Sequence, residues 1–553
     1  MVFLFVTEIL LKINMMLEVL FYYVLINLWS SIITWKFFES AGRAWWEAWV
    51  PVYRTIVLLK IVERPRWWSI LCYIPVIDNV MSIILSYELL HVFGFRDNKH
   101  IFLTVPSAGI YIGYLNYSKE LKVLPRDNQA IRRKLPLVVN HIFFAIVAAG
   151  AVRMTTFEAY NIPTGSMEKS LMVGDYLFVS KLHYGLRIPN TPLSIPLMHN
   201  LIPYTDVPSY LNWVKFPYLR LPAFSSIKKG DAVVFNVPVD PGRPVDKKDN
   251  YVKRCVATPG DTISIINRKI SINDTFQEFP ERANPQWSYY VKTNGRGFNP
   301  RQLKRDFDIN YLDNRIVSNQ NLSDVIQVTS NEYIITISTD VLLKFQAQNN
   351  IDTVICLNTP GDNIFSEGTP EAIKWYNENY IRPMLTYPNP DGHNDTIFFK
   401  WSRDNYGPFW VPKAGQVMDL NYENVLKYGR AINVYEGHEL IMEGDEYLID
   451  GEPSSSYTFS LDYFWMMGDN RHNSWDSRYW GLVPEDHILG KPVFIFMSKD
   501  GFVDGFLNSI RKERLFTVIH GRGEPTSYFI PFLIMLISYF VWERFRKRKK
   551  KNY

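Results

Sequence analysis

The chain has few of the residue patterns that support metal binding or disulfide bonding. Its 553 residues include three cysteines, Cys72, Cys255 and Cys356, which form no CxxC pair. This spacing provides neither a disulfide framework nor a zinc site. The ten histidines include no HExxH motif, so the sequence gives no support for metal catalysis. We therefore expect an activity that needs no cofactor.

The chain also lacks a basic surface outside its last residues. The formal net charge is +5, but residues 544–551 alone contain seven lysines and arginines, so the remainder is close to neutral. This balance argues against a nucleic-acid-binding protein. A basic cluster directly after an apolar segment is instead typical of the cytoplasmic flank of a membrane helix.

Apolar and aromatic residues, in contrast, are abundant, and many lie in segments that could cross a bilayer. Near the C-terminus, Ile530–Trp542 directly precedes the basic tail. The first 157 residues contain four candidate spans: Leu17–Trp35, Trp67–Leu90, Ile101–Tyr117 and Leu137–Val152. No small-residue cleavage site follows the first span, so we interpret it as a permanent membrane segment and not as a removed signal peptide.

The second candidate span is interrupted by Pro75 and Asp78. An ionisable residue inside a bilayer is costly and often functional. A kink at the interface, or a segment that re-enters the bilayer, is an equally good interpretation, so the number of spans stays open.

Basic clusters predict the orientation of the outer spans. The stretch Lys119–Lys134 contains six lysines and arginines, and the C-terminal tail contains seven. Because basic flanks remain in the cytoplasm, both clusters should lie there. Leu137–Val152 then crosses outward and Ile530–Trp542 crosses back. The residues between them should therefore lie on the external side, where exported proteins emerge.

The external residues have the pattern of a mainly β domain. The predicted strands are Asp231–Val237, Tyr251–Cys255, Thr262–Ile266, Lys269–Ile272, Tyr333–Ile337 and Val341–Phe345. The third and fourth should form a hairpin about Asn267 and Arg268, and the last two should form a second hairpin. A helix is predicted over Pro370–Tyr380, with Thr369 as its N-cap.

Three short blocks carry the candidate chemistry. The first, NIPTGSMEKSL at Asn161–Leu171, places Ser166 after a glycine in a stretch where Pro163 restricts the backbone. Taken alone, this block is ordinary turn chemistry. The second block, NYVKRCVATPGD, contains Lys253. The third, MGDNRHNSWDSRYWGLVP, runs from Met467 to Pro484.

A serine nucleophile requires a base, and no histidine stands in a triad-like motif here. A lysine can act as the base if burial lowers its pKa by several units from about 10.4. Strand alternation can turn Lys253 toward a dry face. Lys169 and Lys181 are rival candidates, although Lys169 lies in a predicted exposed turn and the sequence does not define the face of Lys181.

In this order, behind a membrane segment, the three blocks resemble those of the bacterial type I signal peptidases, Ser/Lys proteases that remove leader peptides from exported proteins. The resemblance implies that Ser166 is the nucleophile and Lys253 the general base. It implies an oxyanion hole made by the N–H of Ser166 and the hydroxyl of Thr164. It assigns Ser474 as the hydroxyl that orients the lysine amine, on a catalytic domain built of antiparallel sheets.

The resemblance also implies a substrate groove and a charged scaffold beside the dyad. The groove should accept small side chains at the first and third positions before the cut. Its lining would be Tyr160, Ile162, Pro163, Met167, Leu171, Tyr251 and Val252. The scaffold residues, from the GDNRxxSxDSR block, would be Asp469, Asp476 and Arg478.

The chain departs from the family's pattern in two places. Glu168, Lys169 and Ser170 follow Met167 where the family often has MxPT, and His472 stands where Asp is frequent. Neither departure falls on the dyad, so both affect the expected detail of the groove and not the expected activity.

The blocks divide the chain into predicted regions. These are a multi-span membrane region over 1–157, a catalytic core over 158–270 and 454–525, an α+β insertion over 271–453, and a C-terminal membrane helix with a basic tail over 526–553. The insertion matches no motif. It could cover the groove, contact the membrane or bind the secretion machinery.

The leading hypothesis is a serine endopeptidase of the bacterial cytoplasmic membrane, with its catalytic domain on the external side. Its expected partners are preproteins with signal peptides and the lipid bilayer, with the secretion machinery as a further candidate and no nucleic acid. A non-catalytic membrane scaffold on a peptidase-like fold is the alternative, although both dyad residues are present. A soluble self-cleaving Ser/Lys protease of the repressor type is disfavoured by the membrane spans.

Overall fold

The computed structural model describes residues 2–551 except 96, 105–106, 108, 125–147, 196–197, 241, 312–322, 361–365, 367, 382–385, 389–398, 445, 502–504 and 506–507. The chain divides into two compact units. Unit 1 comprises Met1–Glu158, Gly185–Pro222 and Gly242–Lys248, and unit 2 comprises Ala159–Tyr184, Ala223–Pro241 and Asp249–Tyr553.

Unit 1 is helical over its N-terminal part, where apolar residues are frequent. Its helices are α1 Val2–Ser40, α2 Tyr53–Ile61, α3 Trp68–Leu71, α4 Ile77–Val92, α5 Asn98–Thr104, α6 Ile110–Ser118 and α7 148–155. Buried side chains of α2, α4 and α6, such as Leu59, Leu89 and Ile112, belong to one apolar core with Phe37 of α1. Burial of these apolar side chains holds the helices together.

One helical segment among the described residues is long and apolar enough to cross a membrane, Met16–Ser40, which contains the first predicted span. The second predicted span forms two helices, α3 and α4, on either side of Pro75. The third forms α5 and α6, separated near Gly109, whose φ is +88°. The fourth, Leu137–Val152, falls largely outside the described residues. A multi-pass arrangement therefore stays a prediction.

The remainder of the chain is mainly β, as predicted. In chain order the strands are β1 Phe157–Asn161, β2 Asp175–Ser180, β3 Ala232–Asn236, β4 Asn250–Ala257, β5 Thr262–Ile266, β6 Lys269–Ile272, β7 Thr275–Phe276, β8 Gln286–Thr293, β9 Val325–Gln327, β10 Glu332–Ser338, β11 Ile351–Cys356, β12 Tyr406–Trp410, β13 Val417–Asp419, β14 Leu440–Glu443, β15 Glu446–Ile449, β16 Glu452–Pro453, β17 Ser456–Thr458, β18 Tyr463–Met467, β19 Val483–Pro484, β20 Ile488–Ser498 and β21 Thr517–Val518.

The central sheet has the strand order β1-β2-β20-β3-β4-β18-β19, with β21 beside β20. The pairs β2/β20, β20/β3, β3/β4 and β4/β18 are antiparallel. Strands from both halves of the predicted core therefore alternate across one sheet. This arrangement brings the Lys253 block on β4 next to the third block, which follows β18.

The predicted insertion forms a second sheet, in the order β11-β8-β10-β9. Its apolar face packs on two helices, Pro300–Phe307 and Thr339–Gln346, around Val291, Ile335 and Phe345. The helices of unit 2 are α8 Pro300–Phe307, α9 Thr339–Gln346, α10 Glu371–Tyr376, α11 Tyr422–Arg430, α12 Ser477–Trp480 and α13 Phe529–Lys551. The insertion thus has an apolar core of its own.

The predicted hairpin of Thr262–Ile266 and Lys269–Ile272 is confirmed as β5 and β6. Its turn residues Asn267 and Arg268 have φ angles of +48° and +73°, as a tight antiparallel hairpin requires. The second predicted hairpin is wrong, because Val341–Phe345 lies in helix α9. Strand alternation would place Leu343 on the same side as Phe345, but Phe345 is buried and Leu343 is 81% exposed.

Candidate active site

Ser166 and Lys253 meet in unit 2. Ser166 lies in a single 3-10 turn, Gly165–Met167, and Lys253 lies on β4. The distance between Lys253 Nζ and Ser166 Oγ is 2.5 Å, which is within hydrogen-bonding range. The two groups are therefore placed for direct proton transfer, although they are separated by 87 positions in the chain.

The environment of Lys253 favours its neutral form. The side chain is only 4% exposed. Burial disfavours the ammonium ion and lowers the pKa of Lys253 to about 8. The carboxylate of Asp476 opposes this shift and the guanidinium of Arg478 assists it. About a tenth of the amine is consequently uncharged at pH 7 and can accept a proton.

The register of β4 leaves one of its edges open beside the dyad. On one side, Val233 of β3 pairs with Lys253, and the pairing continues to Asn250. On the other side, β18 pairs with β4 only from Arg254 onward. Among the described residues, no strand pairs with Asn250–Lys253 on that side, so an extended peptide could add there.

The serine turn is clamped by the residue that follows Asp469. The backbone N–H of Asn470 donates to the carbonyl of Ser166 at 3.1 Å, and its side-chain Nδ2 donates to the carbonyl of Gly165 at 3.1 Å. Gly468 is needed for this approach. A Cβ at that position would lie 2.5 Å from the Ser166 carbonyl oxygen and 2.2 Å from Ser474 Oγ.

The three predicted scaffold residues form buried ion pairs behind the dyad. Asp469 accepts from Arg254 Nε at 2.7 Å, and Asp476 accepts from Arg478 Nε at 2.9 Å. Burial alone would raise the pKa of both carboxyl groups, but the adjacent guanidinium groups hold the values below the ordinary range. Asp476 also accepts from the N–H of Gly468 at 3.1 Å, which supports the loop that carries Asn470.

The other two predicted catalytic groups lie at the same cleft. Thr164 is exposed, has an extended backbone and lines the cleft beside Ser166. Ser474 also lines the cleft, and its Oγ is buried without a hydrogen-bond partner among the described residues. The oxyanion role of Thr164 and the orienting role of Ser474 stay predictions.

The cleft has a volume of about 500 Å³. Six of the seven predicted groove residues line it: Tyr160, Ile162, Pro163, Met167, Tyr251 and Val252. The seventh, Leu171, is 1% exposed and packs in the apolar core with Ile162 and Met167. Leu171 therefore supports the groove residues from behind. It is not among the described residues that line the cleft.

The insertion supplies another part of the lining, which the motifs did not reveal. The insertion residues at the cleft are Ser323, Asp324, Val325, Ile326, Ile334, Thr336, Tyr376 and Arg403. Of the three roles left open for the insertion, covering the groove is the one that this lining supports.

A buried histidine joins the third block to the insertion. His472 Nδ1 accepts from the N–H of Ser288 at 3.0 Å, so Nε2 donates to Asp404 at 2.8 Å. Burial lowers the pKa of His472 to about 4 and nearby Arg403 acts in the same direction, so the ring is neutral at neutral pH. The sequence marked His472 only as a departure from the family, and nothing in the pattern pointed to Asp404.

The two other candidate bases, Lys169 and Lys181, have contacts that differ from those of Lys253. Lys169 Nζ forms an ion pair with Asp308 of the insertion at 2.5 Å, and the Lys169 backbone has a φ of +69°. Lys181 follows the last residue of β2 and is not among the described residues that line the cleft. Lys253 is therefore the lysine whose amine reaches Ser166.

Comparison with known proteins agrees with the predicted resemblance. A sequence model of the family described as "Signal peptidase, peptidase S26" matches residues 136–335 and 444–497. These ranges contain all three blocks, and the gap between them falls within the insertion. Residues 46–123 match a second family, DUF5684, whose function is unknown.

Curated relatives give the same result. A "Signal peptidase I" of Buchnera aphidicola subsp. Schizaphis graminum is 25% identical over 71% of this chain and 84% of its own length. The protein of the same name from subsp. Baizongia pistaciae is 23% identical over 68% of this chain and 80% of its own length. A third, from Pseudomonas aeruginosa, is 32% identical over 25% of this chain and 38% of its own length. The similarity thus extends well beyond the short blocks.

Proposed function

We propose that this chain, a serine peptidase related to the signal peptidases, removes N-terminal signal peptides from exported preproteins by means of a Ser166–Lys253 dyad. The resemblance to the signal peptidases and the peptidase class are shown by the comparisons. The observation that carries the dyad is the 2.5 Å contact between the Lys253 amine and the Ser166 hydroxyl.

The proposed reaction is acyl transfer to serine followed by hydrolysis. The neutral amine of Lys253 takes the proton from Ser166 Oγ, and Oγ attacks the carbonyl carbon of the scissile bond. The Ser166 N–H and the Thr164 hydroxyl stabilise the oxyanion that forms. When the C–N bond breaks, the Lys253 ammonium gives its proton to the leaving amine. Lys253 then activates the water that releases the acyl group.

The open edge of β4 supports a mode of substrate binding. An extended signal peptide that adds beside Asn250–Lys253 would place its carbonyl carbon near Ser166. Alternate side chains of such a strand point the same way, so two of them would face the cleft. Ile162, Met167 and Val252 leave little room there, which favours small side chains at both positions.

We further propose that the enzyme is membrane-bound with the dyad on the external side. The apolar helical segment Met16–Ser40 supports an N-terminal anchor. Helix α13 carries exposed apolar side chains such as Ile530, Met535 and Trp542 ahead of the basic tail, which supports a second anchor. A reporter fused near Asn350 should be external and one at the C-terminus cytoplasmic. A cytoplasmic signal from the first fusion would contradict this topology.

The proposed activity is tested with the purified full chain in detergent. The wild type and Ser166→Ala are incubated with a preprotein that carries a signal peptide, and product ends are determined by mass spectrometry. We expect a single cut after a small residue by the wild type and none by the variant. Equal product from both would show that another nucleophile, or a contaminating protease, is responsible.

A further inference from the structure

The connection between β2 and β3 contains a long stretch that is almost without charge. We define the β2–β3 loop as residues 185–222, which belong to unit 1 although β2 and β3 belong to the catalytic sheet. Within residues 188–214 the only carboxylate is Asp206, and there is no lysine or arginine. An external loop exposed to water on all sides would normally be polar, so this composition requires another explanation.

The β2–β3 loop packs on the helices of unit 1. The ring of Phe216 lies edge-on to Tyr22 of α1, with 4.9 Å between ring centroids, and it also contacts Tyr23. Asn79 of α4 donates through Nδ2 to the carbonyl of Pro192 at 3.0 Å. These contacts fix the loop against α1, which contains the segment that meets the length and hydropathy of a membrane span.

The contact with Tyr22 indicates where the loop lies relative to the bilayer. Tyr22 lies four residues after Glu18, near the N-terminal end of the uncharged stretch 19–35, so it lies near one face of the bilayer if that stretch spans it. The loop connects two strands of the catalytic sheet, which the proposed topology puts outside. Both considerations put the loop at the external interface.

The exposed part of the loop carries several large apolar side chains, together with a few polar residues such as Asp206 and Lys215. Tyr204 is fully exposed, Trp213 is 77% exposed and Leu201 is 50% exposed. Ile195, Val207 and Leu211 are also exposed. Tryptophan and tyrosine favour the boundary between lipid headgroups and acyl chains, and leucine and valine favour the acyl chains themselves. A cluster of this kind in water would be a site of aggregation.

We propose that the β2–β3 loop inserts into the external leaflet beside α1, with Leu201, Tyr204 and Trp213 in contact with lipid. The proposal rests on the membrane-bound topology of the proposed function and does not depend on the dyad. Its consequence is that the catalytic sheet is joined to the bilayer through the ends of β2 and β3, in addition to its anchors.

The test measures lipid contact directly on the full chain in nanodiscs of phosphatidylethanolamine and phosphatidylglycerol. Cys72 and Cys356 are replaced by serine, and Cys255 is 1% exposed and is left in place. Tyr204→Cys and Trp213→Cys are each labelled with an environment-sensitive fluorophore. The matched control is Leu343→Cys, an equally apolar and exposed position in the insertion. Quenching by spin-labelled lipid is compared with quenching by aqueous iodide.

We expect labels at 204 and 213 to be quenched several-fold more by spin-labelled lipid than the label at 343, and correspondingly less by iodide. Iodide quenching at both loop positions equal to that at 343 would overturn the proposal and leave the surface available to a protein partner. Two separate loop positions guard against one variant that folds poorly. Because the readout needs no cleavage, an inactive wild type would refute the proposed function and leave this result standing.

Discussion

The catalytic core and the insertion form the same cleft by different means. In the core, the proposed catalytic side chains lie in short blocks, and contacts between the blocks fix the Ser166 turn through Asn470. The insertion carries no such block. It reaches the site through single contacts, including Lys169 with Asp308 and the N–H of Asn284 with Ser170 Oγ at 2.9 Å.

Two further bonds join the regions at the third block. The N–H of Gln286 donates to the carbonyl of Asp469 at 2.9 Å, and the N–H of Arg471 donates to the carbonyl of Gln286 at 2.9 Å. The insertion therefore holds both the serine turn and the loop that clamps it. In the proposed mechanism the core supplies the chemistry, whereas the insertion supplies support and part of the wall of the cleft. Variants in the two regions should differ accordingly.

The largest effect is expected at the base. Lys253→Met keeps the buried side-chain volume but removes the proton acceptor. General bases contribute about 10²–10⁴-fold, so kcat/KM for a preprotein should fall by that factor while thermal stability is retained. Lys181→Met is the matched control and should cleave normally. If Lys253→Met cleaved at a near-normal rate and Lys181→Met lost activity, Lys181 and not Lys253 would be the general base.

A slightly smaller loss is expected at the oxyanion donor. Thr164→Val preserves the shape of the side chain and removes its hydroxyl. Loss of one such donor typically lowers kcat by about 10²–10³-fold. Thr164→Ser, which restores a hydroxyl, should be close to the wild type in the same preprotein assay. If the valine variant cleaved at the wild-type rate, the second donor would come from elsewhere in the cleft.

The pH dependence follows from the lowered pKa of Lys253, about 8. The base must be uncharged, so kcat/KM should rise with pH and level off above that value. Two pH units below it, only about one hundredth of the amine is neutral and the rate should be about a hundredfold lower. A profile that stayed flat between pH 6 and 9 would show that Lys253 does not act as the base in this form.

A smaller effect is expected where the insertion contacts the serine turn. Lys169→Asp places two carboxylates together at Asp308 and should lower kcat several-fold with little change in KM, because the turn that presents Ser166 loses its anchor. Asp308 is 44% exposed at its side chain, which limits the strength of the pair. Asp tolerates the left-handed backbone of this position, so the turn itself is not strained by the change.

The control is Lys169→Arg, which keeps a positive charge against Asp308 and should stay close to the wild type; reversing both charges is not used, because Asp308 also pairs with Lys304. Lys169→Arg as slow as Lys169→Asp would mean that the charge pair does not position the turn. If Lys169→Asp lowered kcat as much as Lys253→Met does, contacts to the insertion would matter as much as the proposed base, and the proposed difference in role between the core and the insertion would be wrong.

The smallest change in rate, but a change in selectivity, is expected in the groove. Ile162 is 5% exposed and lines the cleft. Ile162→Ala should enlarge a pocket and admit Val or Leu where Ala is normally required, with only a modest loss on the normal preprotein. The measurement is cleavage of a substrate series with Ala, Val or Leu at the two positions. An unchanged ranking of these residues would show that Ile162 does not set the pocket.

The hairpin of β5 and β6 can be predicted from the sequence because its signal is local. Asn267 and Arg268 carry their own turn signal, and the blocks around Ser166 and Lys253 carry theirs. The sequence failed where contacts are distant or a pattern is ambiguous. Val341–Phe345 has an apolar pattern that fits either a strand or a helix, and packing of Phe345 decided for the helix. The pair of Lys169 with Asp308 spans 139 positions, which no local pattern encodes.

The bond from Asn470 to Gly165 spans 305 positions. A chain is synthesised from its N-terminus. Ser166 and Lys253 are therefore made long before Asn470, which clamps the serine turn, and before β18, which pairs with β4 beside Lys253. During that interval the turn at Ser166 has no Asn470 to hold it, and the open part of β4 has not yet been bounded by β18. The serine turn can therefore take the clamped form described above only after the third block has been made.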